Sequence, residues 1–172
     1  MRRLLYLVAL APTLVMALIP LPVWLLWGRR LRWVDGTAHR EGSCGAFVFE
    51  LKPDGWFYRT FYQGWGGTTF GHVIMTAPDP RPELLRHEFV HVEQFDANAL
   101  WGLALGVLLT VLGHPLVGLA GWAAAPAAQY SAAGIVAVLR GESFYGGNVN
   151  EEAAYAIALA AEQRKPCGKP SR

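Results

Sequence analysis

Read by its apolar and polar positions, the chain alternates long uncharged stretches with short patterned ones. Leu4 to Trp27 carries no charged side chain and is flanked by Arg2/Arg3 and by Arg29, Arg30 and Arg32. At about 1.5 Å per helical residue this stretch spans a hydrocarbon core of ~30 Å. Trp24 and Trp27 stand at the end where interfacial aromatics collect. Pro12, Pro20 and Pro22 would kink such a helix, which membrane helices tolerate better than soluble ones. The expectation is an uncleaved membrane anchor; the rival is a signal peptide cleaved near Val15-Met16-Ala17. The two flanks are nearly equal in positive charge, so neither orientation is favoured.

Between residues 45 and 76 the pattern becomes that of strands. Gly45 to Leu51 and Trp56 to Tyr62 are apolar, β-prone runs joined by a Pro53-Asp54-Gly55 turn signal, and Thr68 to Thr76 makes a third. A small antiparallel sheet is expected. Helical patterning follows. Pro80, Pro82 and Glu83 suit a helix start, and Leu84, Leu85, Phe89, Val90 and Val92 supply an apolar face over about residues 82–98. Residues 97–139 contain no charged side chain. That is about twice a membrane span, and predicts a helical hairpin returning to its starting side, with turn signals at Gly113-His114-Pro115 and near Gly118–Gly121. A buried soluble helical core is the competing reading. Gly141–Gly147 reads as a connector, and residues 150–164 as a last helix with Asn150 as N-cap and Glu151 and Glu152 in the first turn. The tail after Lys165 is expected to fray.

Composition sharpens this picture. Hydrophobic residues make up 53% of the chain and charged residues 16%, against a usual ~25% charged. A net charge of +2, with no basic run interleaved with aromatics beyond Arg29–Arg32, gives no case for nucleic acid as a partner. Cys44 and Cys167 could pair, but two cysteines set no disulfide framework. The expected class is α+β: a small antiparallel sheet with active-site helices, an N-terminal transmembrane helix and a transmembrane hairpin. The divisions fall at 1–32 for the anchor, 33–98 for the strands and metal helix, 99–140 for the hairpin and 141–172 for the last helix and tail.

The chemistry centres on His87-Glu88-Phe89-Val90-His91. Two histidines four apart lie on one helix face and can share a Zn²⁺, while Glu88 can sit beside a metal-bound water as general base. The bland reading is a buried pair of hydrogen-bonded helix histidines. A catalytic zinc takes three protein ligands and keeps a position for water. Glu151 and Glu152 are the candidates for the third, because a hairpin returns the chain to the metal helix just before them. Gln94 and Asn98 could bond within the site, though the polar face of the helix is the expected role. His72 is expected to be structural or at the surface, and His114 a turn residue before proline.

Asn150-Glu151-x-x-x-Tyr155 resembles the glutamate-zincin pattern in which a second helix carries Asn-Glu-x-x-x-Asp. Together with His87–Gln94, Gly71-His-Val-Ile74 and Asn148-x-x-Glu151, the chain looks like a group of small zincin-like membrane proteins. The resemblance covers roughly residues 68–95 and 148–158. It implies Glu151 as third ligand, Tyr155 as an orienting or oxyanion-stabilising side chain in place of the usual acid, and residues 68–76 lining a cleft that holds an extended peptide. The implied function is a membrane-anchored zinc metalloprotease of the cell membrane, with peptide or protein substrates, membrane lipid as surroundings, and Glu88 as base. A zinc hydrolase acting on another bond is a further possibility. The alternative from another class is a non-catalytic membrane protein with a structural or vestigial zinc site.

Overall fold

The computed structural model describes Pro12, residues 15–36 and residues 45–163. Helix α1 (Pro20–Trp27) runs directly into strand β1 (Gly28–Val34), followed by β2 (Ala46–Leu51), β3 (Gly67–Phe70) and β4 (Val73–Thr76). Three long helices complete the fold: α2 (Pro82–Val111), α3 (Pro115–Leu139) and α4 (Val149–Gln163). The architecture is mixed α+β, and α2 and α3 are each long and apolar enough to cross a membrane. Arg2, Arg3, His39, Cys44, Cys167 and the tail after Lys165 lie outside the described residues, as does most of 4–14 in the expected anchor. From Val15 to Trp27 the described part of that anchor is apolar and helical.

The sheet is mixed, not antiparallel as expected. Its order is β1-β2-β4-β3, with β1/β2 and β3/β4 antiparallel but β2/β4 parallel. Three local readings explain the difference. The stretch Gly28–Val34 is a strand rather than a membrane flank, its arginines lying on a largely exposed edge. The aromatic run 56–62 is not a strand; Tyr58–Tyr62 forms a π-helical turn. Aromatic β-propensity is overridden here by packing: Phe57 stacks on Trp27 at 5.6 Å, and the Tyr62 hydroxyl bonds to Thr68 and to the Met75 carbonyl, each at 2.9 Å. The third expected strand is two, folded back at Gly71-His72, where Gly71 takes φ 63. A two-residue hairpin loop with positive φ suits glycine.

Each face of the sheet has its own core. On one, Ala46, Val48 and Ile74 meet Leu85, Phe89 and Val92 of α2. On the other, Phe49, Leu51, Tyr62 and Met75 are covered by Trp24, Trp27 and Phe57. Burying each large side chain contributes about 1.5–3 kcal/mol, so the inner cluster fixes α2 on the sheet. Trp24 and Trp27, expected at a membrane boundary, thus pack against this core.

Helix α2 does not stop near residue 98 but continues to Val111, and the chain reverses at Gly113-His114-Pro115, the first of the expected turn sites. The two helices approach closely through glycines. A Cβ on Gly102 would lie 2.5 Å from that of Ala125, and one on Gly106 would lie 2.7 Å from the Gly118 carbonyl oxygen. In each helix only 17% of the most apolar 18-residue window is buried, which argues against the soluble-core reading. Helix α4 is capped by Asn148 rather than Asn150: the Asn148 side chain accepts the Asn150 N–H at 3.0 Å.

His72 bridges the β-hairpin to α2 and is structural in position. Its Nδ1 lies 2.8 Å from the Gly45 carbonyl and its Nε2 2.8 Å from Asp96 Oδ1. Both partners are acceptors, so the ring is fully satisfied only as imidazolium. Burial alone would lower its pKa, but the hydrogen bond and charge of Asp96, with Gly45, outweigh burial and raise it above the ordinary value. The pair's stabilisation is therefore complete below an unfolded histidine pKa of about 6.5, and is lost as pH rises through the higher folded value. Asp96→Asn should cost roughly 1.5–3 kcal/mol in mildly acidic solution and progressively less in alkali. Thermal melts followed by circular dichroism across pH would show this; an equal loss at every pH would sink the ionic account.

Candidate metal centre

Helix α2 presents His87 and His91 one turn apart, and α4 brings Glu151 against them. His87 Nε2 and His91 Nε2 are 3.1 Å apart; Glu151 Oε2 is 3.1 Å from the first, and Oε1 is 3.4 Å from the second. An ion with nitrogen and oxygen ligands at about 2.0–2.1 Å in tetrahedral geometry spaces its ligands roughly 3.3 Å apart. The three donors therefore fit a shared cation, and this buried His-His-Glu group could hold a metal ion. Glu152, one position on, is exposed.

The surroundings define the protonation of these donors. Gln94 Oε1 lies 2.8 Å from His91 Nδ1; the amide oxygen accepts the Nδ1 proton and leaves the Nε2 lone pair free toward the group. Gln94 Nε2 in turn donates to the Asn150 carbonyl at 3.0 Å, next to Glu151. Burial opposes charge on Glu151, but hydrogen bonds from His87 and His91, where their Nε2 atoms carry a proton in place of a metal ion, and from Tyr130 outweigh it and hold the carboxyl well below the usual carboxylate range. The Tyr130 hydroxyl donates to Glu151 Oε1 at 2.5 Å. His87 Nδ1 is buried and, among the described residues, has no hydrogen-bond partner.

Gln94 and Asn98 thus do more than cover a polar helix face. Asn98 donates to Gln129 Oε1, and Gln129 donates to Asn150 Oδ1, each at 3.1 Å. Asn150 then donates to Asn148 Oδ1 at 2.9 Å, and Asn148 to the Tyr130 carbonyl at 3.3 Å. This chain of amides ties the α2–α3 hairpin to the turn of α4 that carries Glu151. Tyr130 and Gln129 had a signal in the sequence: with Ser131 they form a run of three hydrogen-bonding side chains in an otherwise alanine- and glycine-rich apolar segment, where polar groups point to an interior or a site.

Glu88 lies on the sheet side of the histidines. Its Oε2 accepts a 2.7 Å hydrogen bond from Thr69 of β3. Gly67, on the same strand, leaves room for the carboxylate: a Cβ there would stand 2.5 Å from Glu88 Oε1. Tyr155 sets its ring against His87, with centroids 4.3 Å apart and planes tilted by 45°, while remaining 60% exposed. His87, Glu88, His91, Glu151, Tyr130 and Tyr155 all line one cleft of about 560 Å³. Strand β3 with the preceding Gly64–Gly66 lines it, as do Pro126, Ala127 and Met16.

Compared with known proteins, the chain matches no protein-family model, no curated protein and no solved structure.

Proposed function

We propose that the chain is a membrane-associated zinc peptidase in which His87, His91 and Glu151 hold the metal and Glu88 is the general base. The observation that carries this reading is the convergence of two imidazole nitrogens and one carboxylate on a common point inside a cleft, with a second, buried carboxylate beside them. Two nitrogens and one oxygen in a compact arrangement suit zinc among the biological divalent cations. When bound, zinc supplies Lewis acidity that lowers the pKa of water and polarises a carbonyl.

Glu88 takes a proton from the attacking water as the new C–O bond forms, and passes it to the amine nitrogen as the C–N bond breaks. Thr69, by donating to Oε2, leaves Oε1 as the oxygen that accepts this proton. Strand β3 is at the edge of the sheet and lines the cleft, so an extended peptide can pair along it. Tyr130, bonded to Glu151, and Tyr155, packed against His87, orient the ligand side chains.

Metal-dependent cleavage of unstructured peptides by the wild type but not by Glu88→Gln tests the proposal. A silent Glu88→Gln in a metal-loaded protein would leave a non-catalytic metal site instead. Gly67→Ala supplies a subtler expectation. The added methyl displaces the Glu88 carboxylate, so turnover should fall about tenfold or more while bound metal is unchanged, an effect consistent with a small misplacement of a reacting group. Unchanged turnover would show that the glycine does not set the position of Glu88.

A further inference from the structure

The metal group lies at the polar end of the apolar hairpin, at a defined height. His91 is twenty residues before Val111 on α2, or about 30 Å at 1.5 Å per residue, the thickness of a hydrocarbon core. Along α3, Tyr130 is about 22 Å from Pro115 by the same measure. The Asn98–Gln129 hydrogen bond fixes the register of the two helices, setting Asn98, about 20 Å from Val111, level with Gln129, about 21 Å from Pro115, while His91 lies about 10 Å farther along α2 from the apolar end.

Above that level the hairpin is uncharged and exposes large apolar side chains, among them Trp101, Leu108, Val111 and Leu116. Charge begins only at Asp96 on α2 and at Arg140 after α3. Helix α4 turns away from the apolar end: Asn150 meets Gln94, whereas Tyr155, farther along, meets His87. The cleft is therefore lined both by hairpin residues Pro126 and Ala127 and by the sheet-edge strand β3.

Resting on the proposed peptidase reading, we infer that the His87–His91–Glu151 group sits at the boundary between hydrocarbon and water. Its substrate is an extended polypeptide segment leaving the same leaflet. Such a segment lays its backbone along β3 and its apolar side chains against Phe95, Pro126 and Met16. A free aqueous peptide reaches the cleft without this alignment and without the high local concentration that tethering to the bilayer provides.

Two measurements on the full chain in liposomes test this separately from hydrolysis itself. In a Cys44→Ser, Cys167→Ser background, spin labels are placed singly at Leu119, Ala124, Ala128, Ala132 and Leu139, which are all exposed on α3. Collision with oxygen should dominate at Ala124 and Ala128, and collision with an aqueous nickel chelate should dominate at Leu139, with the crossover between Ala132 and Leu139. Aqueous dominance along the whole ladder, or a crossover at or before Ala124, would put the metal group in water and overturn the placement. The second measurement compares one fluorogenic peptide free in solution with the same peptide on a palmitoyl anchor through a two-residue spacer. The anchored form should be cleaved at least tenfold faster; equal rates would overturn the substrate class. Cleavage of neither peptide by metal-loaded protein would count against the peptidase reading, while the label ladder would still decide the placement.

Discussion

Purified in detergent and loaded with zinc, the chain should carry about one ion, and His87→Ala should carry none above background. The expectation follows from geometry. His87 Nε2 lies within 3.1 Å of both other donors, so its loss leaves only His91 and Glu151 as ligands. Changes to residues that merely orient a ligand cost roughly 10–100-fold in metal affinity; removing a ligand outright should exceed that. Glu151→Gln should weaken binding without abolishing it, because an amide oxygen keeps the shape of the donor but not its charge. Tyr130→Phe should fall between Glu151→Gln and the wild type, since the carboxylate survives and only one of its hydrogen bonds is lost. Metal content by elemental analysis, with circular dichroism to show that each variant is folded, reads all three. A wild type that holds no zinc under replete conditions would remove the proposed function.

Much of this arrangement is legible in the sequence, for identifiable reasons. A helix through His87 and His91 is written in local periodicity, and four-residue spacing places both rings on one face whatever the rest of the chain does. The Gly113-His114-Pro115 reversal is likewise local. Glu151 and Glu152 are reached through a topological argument, that a hairpin over 97–139 returns the chain to the metal helix, and the packing of α3 on α2 is what makes that argument work; the choice of Glu151 between them comes only from the resemblance of Asn150-Glu151-x-x-x-Tyr155 to the glutamate-zincin pattern. The sheet is less legible because strand identity depends on neighbours. The Arg29–Arg32 cluster sits on β1 because β2 offers it a pairing edge, and the aromatics at 56–62 turn helical because they cover a sheet face. Tyr130 escapes residue-type motifs altogether. It acts on Glu151 across 21 positions of sequence, and no spacing rule encodes a contact that depends on where two helices cross.

Glu88→Gln should leave metal binding intact and remove hydrolysis, and the size of the loss separates the readings of this buried carboxylate. General-base catalysis contributes about 10²–10⁴-fold, so the variant should fall to that level or below detection. The substitution is nearly isosteric, and the amide oxygen can still accept from Thr69, so the fold should persist. Glu88 is 3% exposed, and a carboxylate in that position, beside two imidazoles and given space by Gly67, is an expensive feature for a site with only a structural role. If the metal is merely structural, Glu88→Gln replaces a buried carboxyl by a neutral amide and stability should stay level or rise. If the site is catalytic, stability can rise in the same way while turnover collapses. Turnover and thermal midpoint measured together on wild type and variant therefore decide the matter. Unchanged cleavage with zinc bound would take the proton-transfer role from Glu88, and with it the reason for calling the cleft an active site.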